Sequence, residues 1–306
     1  MVTPFEIKLT RDGSTLVPDP HQMTAEARCR YLEDGGIIYF PRSPFGFSKE
    51  DQAFLLSQRQ LESAHHKNIG YRPLSNRLTG VETKNAEDYE RLRGIMRRYS
   101  EKVTAFLEDF LEPYKDTWKL DYASYRPIEE KGRNIRLRAR NDLLHVDAFP
   151  TRPVFGNRIL RVFTNINPSD ARVWQTSDTF DVLAARFKEQ MPLPKSRDLR
   201  KPLGSIKGTL ARWVGIRAPD RSAYDHWMLN FHHFLKENAH FQRTCRKNPW
   251  VFPPHSSWMV FTDMVSHAVV SGKYALEQTY IIDHQSLLDP NLSPLNVLKS
   301  LYGDAS

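Results

Sequence analysis

The sequence predicts an α+β fold: a β-barrel or sandwich backed by a helical N-terminal layer and interrupted by a helical insertion. Three observations lead there. Tyr89, Leu92, Met96, Tyr99, Val103, Phe106, Phe110 and Leu111 recur at three- and four-residue steps, the pattern of a helix with one buried face over about 86–112. Beyond Trp118 the apolar period switches to two, the mark of strands. Between two groups of such strands lies a helical and basic stretch at about 181–250. The expected organisation is a single domain over 1–306: a mainly helical part at 1–118, a barrel at 119–290 that carries the insertion, and a C-terminal tail at 291–306.

Taken in order, residues 22–34 read as a short helix and 36–41 (GIIYFP) as a buried strand. Ser48 with Asp51 gives an N-cap followed by a first-turn acid, opening a helix to about Ser63. Asn85 caps the long helix, whose role is core packing. Strand-like segments follow at 120–127 (LDYASYRP), 134–140 (NIRLRAR), 142–149 (DLLHVDAF), 158–167 (RILRVFTNIN), 257–270 (SWMVFTDMVSHAVV) and 275–283 (ALEQTYIID). In 134–140, Arg136, Arg138 and Arg140 share one face, and Ile135, Leu137 and Ala139 the other. That arginine face either meets water on an edge strand or points inward as an anion-binding interior.

Composition narrows the function classes. Cys29 and Cys245 are the only cysteines, far apart and with no CxxC partner, which argues against a disulfide framework or zinc ribbon and suits a reducing compartment. No run is apolar and long enough for a membrane span, and the start lacks the apolar core of a signal peptide, so a cytoplasmic protein is expected. The net charge of +8 favours polyanionic partners. Between Lys195 and Arg221, eight basic residues face only Asp198 and Asp220, and Ile206, Leu210, Trp213, Val214 and Ile216 are interleaved with them. Such a segment suits peripheral contact with an anionic membrane, or a solvated loop whose apolar residues dock on its own domain.

The chemistry starts at 143–150, LLHVDAFP. On a strand, His145 and Asp147 fall on one face about 7 Å apart, so both can reach one ion. A second histidine would complete the two-histidine, one-carboxylate set of non-haem iron oxygenases, which leaves positions open for cosubstrate and oxygen. HxD alone is a weak signal, and such a pair on a strand is more often structural. His267 ends an apolar strand about 120 residues on, and the strand ALEQTYII follows at once. This order is that of the double-stranded β-helix (jelly-roll or cupin-like) dioxygenases that use Fe(II) and 2-oxoglutarate. His255 and His284 are the alternatives to His267. His226, His233 and His240 stand seven residues apart on a predicted helix, about 10.5 Å along its axis, too far to share a metal. His65 and His66 lack a carboxylate at a telling spacing, and His232 has no distinguishing context.

The runs RNDLLHVDAFPTRPVFGNRILRVFTNINP, SYRP at 124–127, YRP at 71–73 and SHAVVSGKYALEQTYII together resemble the bacterial Kdo 3-hydroxylases over most of the chain. The resemblance implies Fe(II), 2-oxoglutarate as cosubstrate and O2. It implies His145, Asp147 and His267 as metal ligands, and hydroxylation at C3 of a Kdo sugar on lipid A to give Ko. Many such oxygenases place an arginine shortly after the distal histidine to bind the far carboxylate of 2-oxoglutarate; Gln278 stands there instead. A cation must then come from another strand. Arg161 is the first choice and Arg138 the second, either offering a bidentate guanidinium. The basic charge suits an anionic glycolipid met at the inner membrane through 195–221.

Two other readings compete. One is a 2-oxoglutarate dioxygenase acting on nucleic acid or protein, but no aromatic base-stacking cluster accompanies the basic run apart from Trp213. The other is a non-enzymatic barrel that binds an anionic glycolipid and holds HVD as a structural pair. Zinc hydrolysis is disfavoured because no HExxH or equivalent supplies a base.

Overall fold

The computed structural model describes residues 19–59, 68–82, 85–193, 198–201 and 220–303. Two antiparallel sheets face each other. The larger has seven strands: β1 (Ile38–Phe40), β2 (Ile69–Arg72), β3 (Arg77–Thr79), β4 (Trp118–Arg126), β5 (Arg158–Asn165), β8 (Ser257–Phe261) and β10 (Ala275–Ile282). Their spatial order is β1-β8-β5-β10-β4-β2-β3. The smaller, ordered β7-β6-β9, contains β6 (Arg172–Thr179), β7 (Asn248–Phe252) and β9 (Val265–Ser271). This is the predicted jelly-roll, and neighbouring strands that are far apart in sequence give it its double-wound topology.

Two cores follow from the alternation of side chains. On β10, Leu276, Tyr280 and Ile282 point to the helices, and on β5 Leu160 and Val162 do the same. Helix α3 (Ala86–Phe110) lays Leu92, Ile95, Met96, Tyr99, Val103 and Leu107 on that face. Hydrogen bonds tie it down: Tyr99 Oη to Thr164 Oγ1 at 3.3 Å, and Thr104 Oγ1 to Tyr280 Oη at 2.8 Å. Helices α1 (Ala25–Glu33) and α2 (Lys49–Ser57) complete the layer, capped by Thr24 and Ser48 as their side chains require. The opposite faces meet in an aromatic core between the sheets, with Phe163, Trp174, Phe252 and Trp258 packed together. Phe252 and Trp258 stack at 3.8 Å between ring centres.

The insertion supplies α4 (Phe180–Arg186), α5 (Ala223–Glu237) and α6 (Ala239–Thr244). Ser222 and Asp225 cap α5 reciprocally. The C-terminal residues are not an appended tail: α7 (Pro294–Tyr302) buries Leu295 and Leu298 completely. Gly156, at φ +88°, lets the chain pass under Leu295, because a Cβ there would lie 2.7 Å from Leu295 Cδ2. No helix among the described residues is long and apolar enough to cross a membrane.

Several segments differ from the expectation. Residues 134–140 are not a strand; they cross the surface and contain a short 3-10 turn, Leu137–Ala139. Arg136 and Arg138 are exposed, Arg138 pairing with Glu237 of α5 at 2.5 Å, while Arg140 pairs locally with Asp142. Three inward arginines would each have needed a counter-ion, and Leu137, 45% exposed, gives the other face little to bury. The run 257–270 is two strands in different sheets, β8 and β9, separated by a corner at Asp263. Its carboxylate holds Arg158 Nε and the Ile159 amide at 3.0 and 3.2 Å. Strands β6 and β7 were not expected, and the N-terminal part, read as mainly helical, contributes β1, β2 and β3 to both edges of the large sheet. His65 and His66, and the greater part of 195–221, lie outside the described residues.

Candidate metal centre

His145 and His267 sit directly opposite each other. The His145 amide donates to the His267 carbonyl at 3.1 Å, and the His267 amide returns the bond to the His145 carbonyl at 2.9 Å. This two-way bond sets both side chains on one face of an antiparallel pair. Period-two spacing then puts Asp147 beside them, its own amide bound to the Thr262 carbonyl at 2.8 Å. Segment 142–149 is therefore a short bridge against β9 rather than a full strand. His267 alternates with Val269, which belongs to the inter-sheet core, so its ring points between the sheets.

One donor atom from each of the three residues can be chosen so that all lie within 4.8 Å of one another. His145 Nε2 is 3.6 Å from Asp147 Oδ1, and His267 Nε2 is 3.9 Å from Asp147 Oδ2. Both histidines direct Nδ1 to a backbone carbonyl two residues earlier: His145 to Leu143 at 2.6 Å and His267 to Val265 at 3.0 Å. A carbonyl only accepts, so Nδ1 carries the proton and each Nε2 turns a lone pair inward. Burial, helped by the charge of Lys236, pushes His145 down to about 3, and burial is also the main cause that lowers His267. Burial opposes ionisation of Asp147, yet Arg161, with His145 and His267, holds it well below the usual carboxylate range. Asp147 Oδ2 is buried without a directed hydrogen bond. Two neutral imidazole lone pairs and an ionised, under-satisfied carboxylate oxygen facing one point fit a divalent transition metal.

Around this point lies a buried ionic network. Arg161 Nη1 is 3.2 Å from Asp147 Oδ2 and 3.4 Å from Glu277 Oε1. Glu277 also binds Arg126 at 2.6 Å, and Glu130 gathers Arg126, Arg133 and Arg172 at 3.4–3.8 Å. The Arg161 and Arg172 Nε atoms are buried without an acceptor among the described residues. Burial works against Glu277 too, but Arg126 and Arg161 keep its pKa below its ordinary value.

The other sequence-predicted residues are not brought here. Gln278 shares the helix-facing side of β10 with Leu276 and Tyr280, and its amide donates to the Asp121 and Thr279 carbonyls at 3.0 Å. Period two is the reason: Glu277 and Thr279 face Arg161 across the pair with β5, and the residue between them cannot. Arg138 is on the surface with Glu237. His255 occupies a turn at φ +61°, and His284 contacts Arg200 and Asn157, away from the triad. His226 and His240 are exposed and His233 is half-buried, and none of the three joins the triad. His232 was missed. Its Nδ1 bonds the Val146 carbonyl at 2.7 Å, and its ring centre lies 4.8 Å from that of His145. It therefore fixes the backbone between His145 and Asp147. Trp174 stacks on the His267 ring at 5.3 Å.

A family model described as 3-deoxy-D-manno-oct-2-ulosonic acid (Kdo) hydroxylase matches residues 17–305. The fold is similar to crystal structures of the Kdo hydroxylase KdoO, described as a non-heme Fe(II) alphaketoglutarate dependent dioxygenase. Its cobalt(II) complex is 36% identical with a TM-score of 0.80, covering 90% of this chain and 89% of that chain. Its complex with alphaketoglutarate and Fe(III) is 36% identical over the same shares with a TM-score of 0.78, and its succinate and Fe(III) complex 35% identical at 0.77. No curated protein matches the chain. With the match spanning nearly every residue and the histidine–aspartate–histidine cluster at its centre, the chain belongs to the Kdo hydroxylase family.

Proposed function

We propose that the chain hydroxylates C3 of a Kdo sugar carried on lipid A, giving Ko, with Fe(II) held by His145, Asp147 and His267 and with 2-oxoglutarate as cosubstrate. The observation that carries this reading is the convergence of two neutral Nε2 lone pairs and one ionised carboxylate on a buried point. When bound, iron with 2-oxoglutarate and O2 supplies the oxidising chemistry that converts a C–H to a C–OH bond.

The chain's residues do the rest. Leu143 and Val265 carbonyls hold the imidazole tautomers, and His232 and Trp174 fix the rings from behind. Arg161 keeps Asp147 ionised and offers its free Nε to an anionic cosubstrate; the carboxylate it would receive is the far one of 2-oxoglutarate. The aromatic core between the sheets excludes water from one side of the site. The segment 195–221, with its interleaved cations and apolar residues, would hold the enzyme at the cytoplasmic face of an anionic membrane. Deleting 202–219 is expected to abolish binding to anionic vesicles while Co(II) binding survives; unchanged vesicle binding would remove the membrane role.

The direct test incubates the enzyme with Kdo-lipid A, Fe(II), 2-oxoglutarate and isotopically labelled O2. One labelled oxygen should appear in the sugar for each succinate formed, at the C3 position. Succinate formation with no oxygen in the sugar would reject the substrate.

A further inference from the structure

A second cationic feature lies outside the metal centre. A cavity of about 510 Å³ opens between the turn after β2, strand β4 and the 152–157 loop. Arg72, Lys119 and Arg152 line it, with Asp121 as the one carboxylate among its lining residues, so three positive charges face one negative. Arg152 Nε and Asp121 Oδ2 stand 3.2 Å apart, yet both atoms are buried without a directed hydrogen bond. Arg72 and Lys119 form no ion pair among the described residues.

The inner wall is a run of alternating guanidiniums and rings. The Tyr122 ring carries Arg72 at 5.0 Å and Arg152 at 4.1 Å from its centre. Arg152 also lies 4.3 Å from the Phe149 ring centre, and Arg161 lies 5.2 Å from the same ring. Arg161 in turn reaches Asp147. The series Arg72, Tyr122, Arg152, Phe149, Arg161 thus connects an exposed cleft to the metal centre. Rings exclude water from the cations without neutralising them, which strengthens the attraction for an incoming anion. Burial accordingly lowers the pKa of Arg152, and Asp121 only partly offsets it.

We propose that this cleft is a second anion site, which takes a phosphate monoester of the glycolipid while the sugar to be hydroxylated occupies the metal centre. This rests on the function proposed above. A phosphate monoester carries about −1.5 to −2 charge and three acceptor oxygens, matching the uncompensated charge and the several free donors of the cleft. The volume falls in the range of small-ligand sites, roughly 300–1,000 Å³. Leu74, 88% exposed, stands on the rim, where the apolar part of an amphipathic substrate would pass.

The test compares KM for Kdo-lipid A in detergent micelles with its phosphates intact or enzymatically removed, for wild type and for the double variant Arg72→Ala/Lys119→Ala. Wild-type KM should rise at least tenfold on dephosphorylation, as expected for loss of one charge-assisted contact. In the double variant the ratio should fall to near one, with Co(II) affinity intact as the sign of a folded metal centre. A double variant that keeps the wild-type ratio would overturn the proposal, as would a wild type indifferent to the phosphates. Calorimetric titration with pyrophosphate gives the arm without catalysis: binding should weaken at least tenfold in the variant, and equal binding would overturn the site. If wild type turned over no glycolipid, the proposed function would fall, and the pyrophosphate titration would still decide the cleft.

Discussion

The shared face of His145 and Asp147 was legible because a period of two leaves no choice, and the placement of Arg161 beside Asp147 because it lies in phase with Phe163. Gln278 misled for the same physical reason: one step along β10 separates the metal side from the helix side. His232 was legible in principle. It stands four residues after Met228 and three before Leu235, inside the buried stripe of α5, and a histidine there needs a polar partner. His232→Phe would keep the ring packing and lose the bond to Val146. The expected result is a 10–100-fold loss of Co(II) affinity with little change in the unfolding midpoint. Glu277 gives a pH prediction. Its folded pKa lies below the ordinary 4.5, so its stabilising contribution is present above about 4.5 and is lost as pH falls through the folded value. Urea midpoints should therefore drop below pH 4.5 in wild type. Glu277→Gln should be less stable at pH 7, by about 3 kcal/mol because Arg126 and Arg161 each lose one of their two carboxylate partners, and should show a shallower acid decline.

At the level of elements, helices with caps and strong periodicity were readable: α3 begins at the Asn85 cap, and α2 at Ser48. Strands whose inward side chains are polar were not. In β6 the buried positions are Arg172, Trp174, Thr176, Ser177 and Thr179, all polar but one, and nothing in that pattern marks a core strand until Glu130 and the aromatic core are in place around it. The turn after β9 is the tightest joint near the site. Gly272 adopts φ +117°, and a Cβ there would lie 2.9 Å from Arg172 Cα. Gly272→Ala is expected to cost about 1–3 kcal/mol, read as a lower thermal midpoint, and to weaken the Arg172 bond to the Gly272 carbonyl, now 2.8 Å. Wild-type stability in that variant would show that the turn relaxes freely.

Across the whole molecule, a barrel or sandwich was legible from the switch of period after Trp118 and the jelly-roll from the order of His145, Asp147 and His267, whereas the assignment of strands to the two sheets was not. The corner at Asp263 depends on a distant partner, Arg158, which no local pattern reveals. That corner lets β8 and β9 enter different sheets, brings His267 opposite His145, and so assembles the site from residues about 120 positions apart. The aromatic core between the sheets then holds the two halves of the site together. Trp258→Ala should cost about 3–5 kcal/mol and weaken metal binding in parallel, measured by chemical unfolding and Co(II) titration.

The most direct measurement is anaerobic titration of Fe(II) into the protein with and without 2-oxoglutarate, for wild type, Asp147→Asn and His267→Ala. One iron per chain should bind wild type, with a visible absorption that arises only when 2-oxoglutarate is also present, and both variants should lose it. Full iron binding by both variants would contradict the assignment of these side chains to the metal.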